Sequence, residues 1–285
     1  MKKWFFYITY VLIILAAFLY LLFPSEEIKS YLIQQAGQIA PETSVDIGKI
    51  KPRFPPGLKF SDMEIALRNK PVIDAREINI MPRYLSLFSD NKIFAVKGVV
   101  YQGPFYGEAS VANVSKPEYG ADITFDAVEV NEISALSDLT PHQMYGNAEG
   151  HVKYNSKNGL YGNGEAEVVI NDCRVELNPP LFGFKDLALG RVNAVIELQN
   201  REVSIKEITV NGKQVSGSAT GAIGLRRPLP LSTVQLNGQI KPHPSLIKEL
   251  SRVVPAQLLA RRDYAENGIP FRISGTIERP NFSLK

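Results

Sequence analysis

The sequence predicts a mainly β protein, in which an N-terminal transmembrane helix is followed by an elongated, curled antiparallel β-sheet body with a few short helices. Three observations predict it. Trp4 to Phe23 are twenty residues without a charge, the apolar period changes from helical to two at about Ser44, and clusters of Asn, Gly, Lys and Pro separate the alternating runs that follow. At 285 residues the chain fits one large or two small domains and can bury a sizeable core. Its 32 Lys and Arg against 29 Asp and Glu leave a net charge of +3, and the signs alternate along most of its length. That pattern marks an ordinary solvated surface and lacks the basic stripe a nucleic-acid duplex needs, so nucleic acid is not expected as a partner.

The first element is the anchor. A helix over residues 4–23 reaches roughly 30 Å at about 1.5 Å per residue, which matches the hydrocarbon core of a bilayer. Trp4, Tyr7 and Tyr10 stand near one end and Tyr20 near the other, where aromatic belts form. Lys2 and Lys3 precede the run and Glu26 and Glu27 follow it. The positive-inside rule then leaves residues 1–3 in the cytoplasm and carries residues 24–285 across the membrane. A cleaved signal peptide fits less well, because the apolar run exceeds an h-region and no small-x-small site closes it.

Residues 24–40 read as a juxtamembrane helix. Ser25 can cap it, Glu26 and Glu27 suit its positive end, and Ile28, Tyr31, Leu32, Ala36 and Ile39 recur at helical spacing. The sheet body follows over residues 44–285. Met63, Ile65 and Leu67 alternate with Asp62, Glu64 and Ala66, and Ile123, Phe125 and Ala127 alternate with Asp122, Thr124 and Asp126. Similar runs follow at 166–170, 192–198, 215–223, 234–240 and 271–277. About fourteen half-buried antiparallel strands are expected. Arg68 to Pro71, Asn155 to Gly159, Asn200-Arg201 and Asn211 to Lys213 are the turn signals, the last reading as a tight Asn-Gly hairpin. Two short amphipathic helices, 131–139 and 245–262, are expected to cover a face or an end of the sheet.

A weak repeat overlies the strands. Gly103 to Ala109, Gly146 to Val152 and Gly217 to Ile223 each place a small residue at every second position, and Ile273 to Ile277 is a partial copy. Glycine weakens a strand interior, so its recurrence calls for a bend, a bulge or a close approach of backbone. A long sheet curling at these positions would present an apolar inner face. Ile123, Phe125, Val168, Ile170, Ile205 and Leu236 are the candidate groove residues.

No motif in the chain carries chemistry. There is no phosphate loop, no G-x-S-x-G elbow and no H-E-x-x-H, and His142, His151 and His243 lack ligand spacing. The single cysteine, Cys173, excludes an internal disulfide and reads as inert strand packing, while Glu165 and Glu167 read as a solvent face. No enzyme activity, no metal and no cofactor is expected.

Several segments together resemble a known family. These are the Met-Lys-Lys start, the anchor ending Leu21-Leu22-Phe23-Pro24, the run Thr43 to Pro52, the run Phe54 to Ile65, and the ending Gly275 to Leu284. They are similar to the N protein of bacterial type II secretion systems (the GspN family). The stretch from Val45 to Leu67 is equally similar to AsmA-like envelope proteins, which carry a long curled β-groove behind an N-terminal anchor. The resemblance implies a single-pass inner-membrane protein with a periplasmic β body, no catalytic residues, and other secretion-system subunits as partners. Two function classes follow from it. One is a non-enzymatic accessory subunit working by protein contacts through a sheet edge or the 25–39 helix. The alternative is an AsmA-like module that binds or transfers phospholipid in an apolar β-groove. Coverage of the inner face by the two short helices would favour the first, and a continuous exposed apolar strip the second.

Overall fold

The computed structural model describes residues 2–39, 43–67, 70–113, 117–134, 136, 142–157, 162–181, 184–244, 246 and 268–284. Helix α1 (Lys2–Leu21) is followed by α2 (Ser25–Ile39) and then, among the described residues, by strands, short 3-10 turns and helical positions at Ser134, Leu136, Pro244 and Leu246. The strands are β1 (Thr43–Arg53), β2 (Gly57–Leu67), β3 (Lys70–Pro82), β4 (Asn91–Val100), β5 (Gly103–Ala112), β6 (Glu118–Glu129) and β7 (Gln143–Asn155). They continue as β8 (Asn163–Leu181), β9 (Phe184–Gln199), β10 (Glu202–Asn211), β11 (Val215–Gly224), β12 (Thr233–Pro242), β13 (Ile269–Thr276) and β14 (Pro280–Leu284). All fourteen form one antiparallel meander in sequence order, with β1 and β14 at its edges. The body is mainly β, with the number of strands that period-two patterning predicts.

Among the described residues no helix is long and apolar enough to cross a membrane. The described side chains leave out Leu12, Ile13, Leu15, Ala16, Ala17 and Leu19, the apolar centre of α1. A span over residues 4–23 therefore rests on the sequence, where that stretch holds no charge. Between the helices, Leu22 N–H donates to the Phe18 carbonyl and Ile28 N–H to that of Pro24. Pro24 rather than Ser25 thus occupies the capping position, since it is the residue whose carbonyl accepts the first bond of α2. Helix α2 packs Ile28, Leu32 and Ile33 onto a core of Ile47, Ile50 and Phe60, joined by Phe23, Leu58, Met63, Ile78 and Ile80. Tyr31, expected on that stripe, is 60% exposed, and Ile33 takes its place.

Strand register separates the two faces. Directly opposed residues share a face, so Phe60, Ile78, Gly98, Phe105, Phe125, Gly150, Val168 and Ala194 form one row across β2 to β9. The next row holds Leu58, Ile80, Val96, Gly107, Ile123, Val152, Ala166 and Ile196. The opposite face is polar, with ion pairs of Lys59 with Glu77 (2.5 Å) and Lys206 with Glu197 (2.7 Å) and a hydrogen bond between Asp122 and His151 (2.6 Å). Alternation of this kind is what a sheet with one packed and one wet face requires.

A line of irregularities crosses this pattern. Asp62, Ala127 and Asp172 have positive φ inside strands, Gly146 has φ 139°, and register shifts accompany the last three in chain order at Phe125/Val128, Tyr145/Asn147 and Ile170/Cys173. Bulges of this kind bend a strand and raise its twist. Ala66, expected on the polar side of β2, is buried, because the β2–β3 register shifts between Ile65 and Ala66. The Asn200-Arg201 turn is a two-residue hairpin with both φ values positive. Residues 211–213 do not form one: β11 starts at Val215, and Gly212 N–H donates to the Val215 carbonyl across a longer loop.

Candidate functional site

All six candidate groove residues lie on the apolar face, yet they do not form one site. Phe125, Val168 and Ile170 join a core built on Val128, Val130 and Ala148. Ile123 lies one row away, opposite Val152. Ile205 and Leu236 belong to the other half of the sheet, in a row that runs Ile205, Gly221, Leu236, Ile273 and Phe282.

The middle of the face is covered from within the chain. After β6 the chain makes a 3-10 turn (Val130–Glu132), and Ile133 and Leu136 pack onto the same core with Tyr101 and Met144. The Tyr101 hydroxyl donates to the Val72 carbonyl, Glu129 N–H donates to the Tyr101 carbonyl (3.0 Å), and the Ser134 hydroxyl donates to that of Pro71 (2.9 Å). Burial raises the Tyr101 pKa above its usual value, and the phenol stays a donor. The 3-10 turn ends at the extended Ile133, and Ser134 and Leu136 are helical, within the span 131–139 where a helix is expected. Residues 135 and 137–139 lie outside the described residues, as does the helix over 245–262 apart from Leu246, which is buried.

Strand glycines have a local cause on this face. A Cβ on Gly98 would stand 2.8 Å from the Phe105 ring, on Gly150 2.9 Å from the Phe125 ring, and on Gly238 2.5 Å from the Phe271 ring. Each glycine directly opposes its phenylalanine across a strand pair. The rings lie over bare backbone, a pairing that restores the packing a glycine lacks. Phe125 is therefore held by Gly150 as part of the packed face. The sequence signalled the glycines but not their partners, because the pairing spans 7 to 33 residues of chain.

On the polar face, Glu108, Asp122, Lys153, Glu165 and Glu197 stand in one cross-strand row and contribute to a concavity of about 650 Å³. Like charges directly opposed are unfavourable. Arg83 binds Glu108, His151 and Lys153 flank Asp122, and Lys206 binds Glu197, which offsets the repulsion. The bond to His151 lowers the Asp122 pKa, with Lys153 a smaller cause. Glu165 and Glu167 lie on this face opposite Lys153 and His151. Among the described residues no group of three or more His, Cys, Asp or Glu is placed to hold a metal ion. Cys173 is buried opposite Gly190, and burial raises its thiol pKa.

At the last edge, Pro280 to Leu284 are exposed throughout, with Phe282 at 53% and Leu284 at 62%. Phe282 stacks on Phe271 with ring centres 5.7 Å apart. Among the described strands β14 pairs with β13 on one side only, which leaves its other side as an edge of the sheet. Comparison with known proteins finds no family model, no curated protein and no solved structure that matches the chain.

Proposed function

We propose that the chain is a non-enzymatic, membrane-anchored envelope protein that works through protein contacts of its β body, as an accessory subunit of a bacterial type II secretion apparatus. The anchor is α1, with residues 1–3 in the cytoplasm and the body in the periplasm. One observation carries the contact mechanism: β14 is an open edge that also exposes the apolar side chains of Phe282 and Leu284. Main-chain bonds to an added strand supply affinity, and the two side chains supply selectivity. Helix α2, the other surface considered, has its apolar side committed to β1–β3. The secretion assignment itself comes from the resemblance of residues 43–65 and 275–284 to the N protein family.

A second reading keeps one observation in its favour. The row Ile205, Leu236, Ile273 and Phe282 extends the apolar face to the edge, and an AsmA-like phospholipid module would use that strip. A photo-cross-linker at Asn281 of the full chain in the envelope separates the two. Capture of a secretion subunit supports the first reading. Stoichiometric phospholipid in native mass spectra, with no protein captured, replaces it with the second.

A further inference from the structure

Two turns at one end of the sheet expose apolar side chains, and the second of them bonds much of its own backbone. Phe54 between β1 and β2 is 88% exposed, and Leu85 and Phe88, in the 3-10 turn Tyr84–Phe88 between β3 and β4, are 89% and 92% exposed. Inside that turn the Ser86 hydroxyl donates to the Arg83 carbonyl (2.6 Å) and accepts from Ile93 N–H (2.9 Å). The Ser89 hydroxyl donates to the Asn91 carbonyl (2.6 Å), and Lys92 Nζ donates to the carbonyls of Leu87 (2.8 Å) and Ser89 (2.5 Å). The Tyr84 hydroxyl donates to the Pro56 carbonyl (3.1 Å) and ties the two turns into one tip. Backbone satisfied internally with large apolar groups outward is the arrangement a lipid interface demands and water does not favour.

The tip also lies where the anchor leaves the body. Helix α2 ends at Ile39, close in chain to the start of β1 at Thr43, and Lys29 reaches Asp46 at 3.9 Å. Its beginning therefore points along β1 toward the β1–β2 turn. Phe23 packs on the same core as Leu58 and Ile80, which adjoin the two turns. Lys51, Arg53, Arg83 and Lys92 lie in or beside the two turns, where Asp90 is the one acid within the turn segments and Glu77 and Glu108 lie on the adjoining strands. Arg53 is bonded to the neutral Asn79 and keeps its charge, while Arg83 is paired with Glu108.

We infer that this tip is a second membrane contact, with Phe54, Leu85 and Phe88 seated in the interface of an anionic bilayer beside α1. The inference rests on the reading of α1 as a membrane span. Two contacts fix the tilt of the sheet over the membrane, where a single helix would leave it free to swing. Basic residues around an apolar tip favour anionic headgroups.

The test uses the full chain in vesicles of phosphatidylglycerol and phosphatidylethanolamine whose acyl chains are brominated, with tryptophan emission as readout. The native chain, whose one tryptophan is Trp4, reports the anchor. Phe88→Trp and, separately, Leu85→Trp, each combined with Trp4→Phe, report the tip, and Asn131→Trp with Trp4→Phe reports the opposite end. The expected result is blue-shifted, quenched emission from positions 4, 85 and 88 and unquenched emission from 131. Quenching at position 4 but not at 85 or 88 overturns this inference and leaves the anchor standing. Blue-shifted but unquenched emission at 85 and 88 assigns the tip to a contact with a second copy of the chain and also overturns it. No quenching at position 4 overturns both.

Discussion

A phenylalanine ring lying on a glycine makes the smallest residue the least replaceable one on its face. Gly150→Val presses its Cβ first against the Glu167 carbonyl and then against the Phe125 ring, and the expected cost is about 1–3 kcal/mol, as for other overpacked sites. Urea unfolding of the parent and the variant measures it, and an unchanged midpoint would remove the packing role assigned to Phe125. Surface carboxyls behave differently. Bonds from Lys59 first and Asn79 second hold the Glu77 pKa below its usual value. A carboxyl with a lowered folded pKa adds stability above its unfolded pKa and loses it as pH falls through the folded value. Glu77→Gln is therefore expected to lose less of its urea midpoint than the parent as pH drops below the ordinary carboxylate range, by a small amount because the pair is solvated. Cys173, buried and with a raised thiol pKa, is expected to resist iodoacetamide until denaturant opens the sheet. The glycines and the cysteine stood out in the sequence by type. The left-handed residues Asp62, Ala127 and Asp172, and the Tyr101-Gln102 turn, did not, because their φ values are imposed by neighbouring strands rather than by glycine.

At the scale of elements, period-two alternation made the strands legible, since one face is apolar from β2 to β13 and the other is charged. Helix α2 was legible from its spacing too, though its buried side turned from Tyr31 toward Ile33, and a helix one turn from solvent tolerates that rotation. The covering of the inner face was not legible. Val130 to Leu136 acts through side chains that meet β3, β4 and β8 across long stretches of chain, and no local pattern encodes such contacts. Leu32→Ala is expected to cost about 2 kcal/mol, the low end for a buried leucine, because Leu32 is only half-buried on its core. Deletion of β14 removes the stack of Phe282 on Phe271 and the last ladder. Hydrogen exchange is expected to show β13 losing protection, while a body indistinguishable from the parent would make residues 280–284 a passive tail.

For the whole molecule, the decisive feature is a sheet in which every strand bonds only to its neighbours in sequence. Such a body behaves as a quasi-one-dimensional stack, with stability close to a sum of nearest-neighbour terms. A destabilising change at one end should therefore leave the other end intact. Phe271→Ala is expected to weaken exchange protection in β12–β14 without altering β1–β3, and a uniform loss would show instead that the sheet unfolds as one unit. The same order has a kinetic meaning. A chain delivered N-terminus first finds, for each strand that emerges, its partner already in place, so the ladder can advance like a zipper at the pace of synthesis or translocation. No strand has to wait unpaired for a distant sequence, and of the two edges of the sheet β14 forms later than β1.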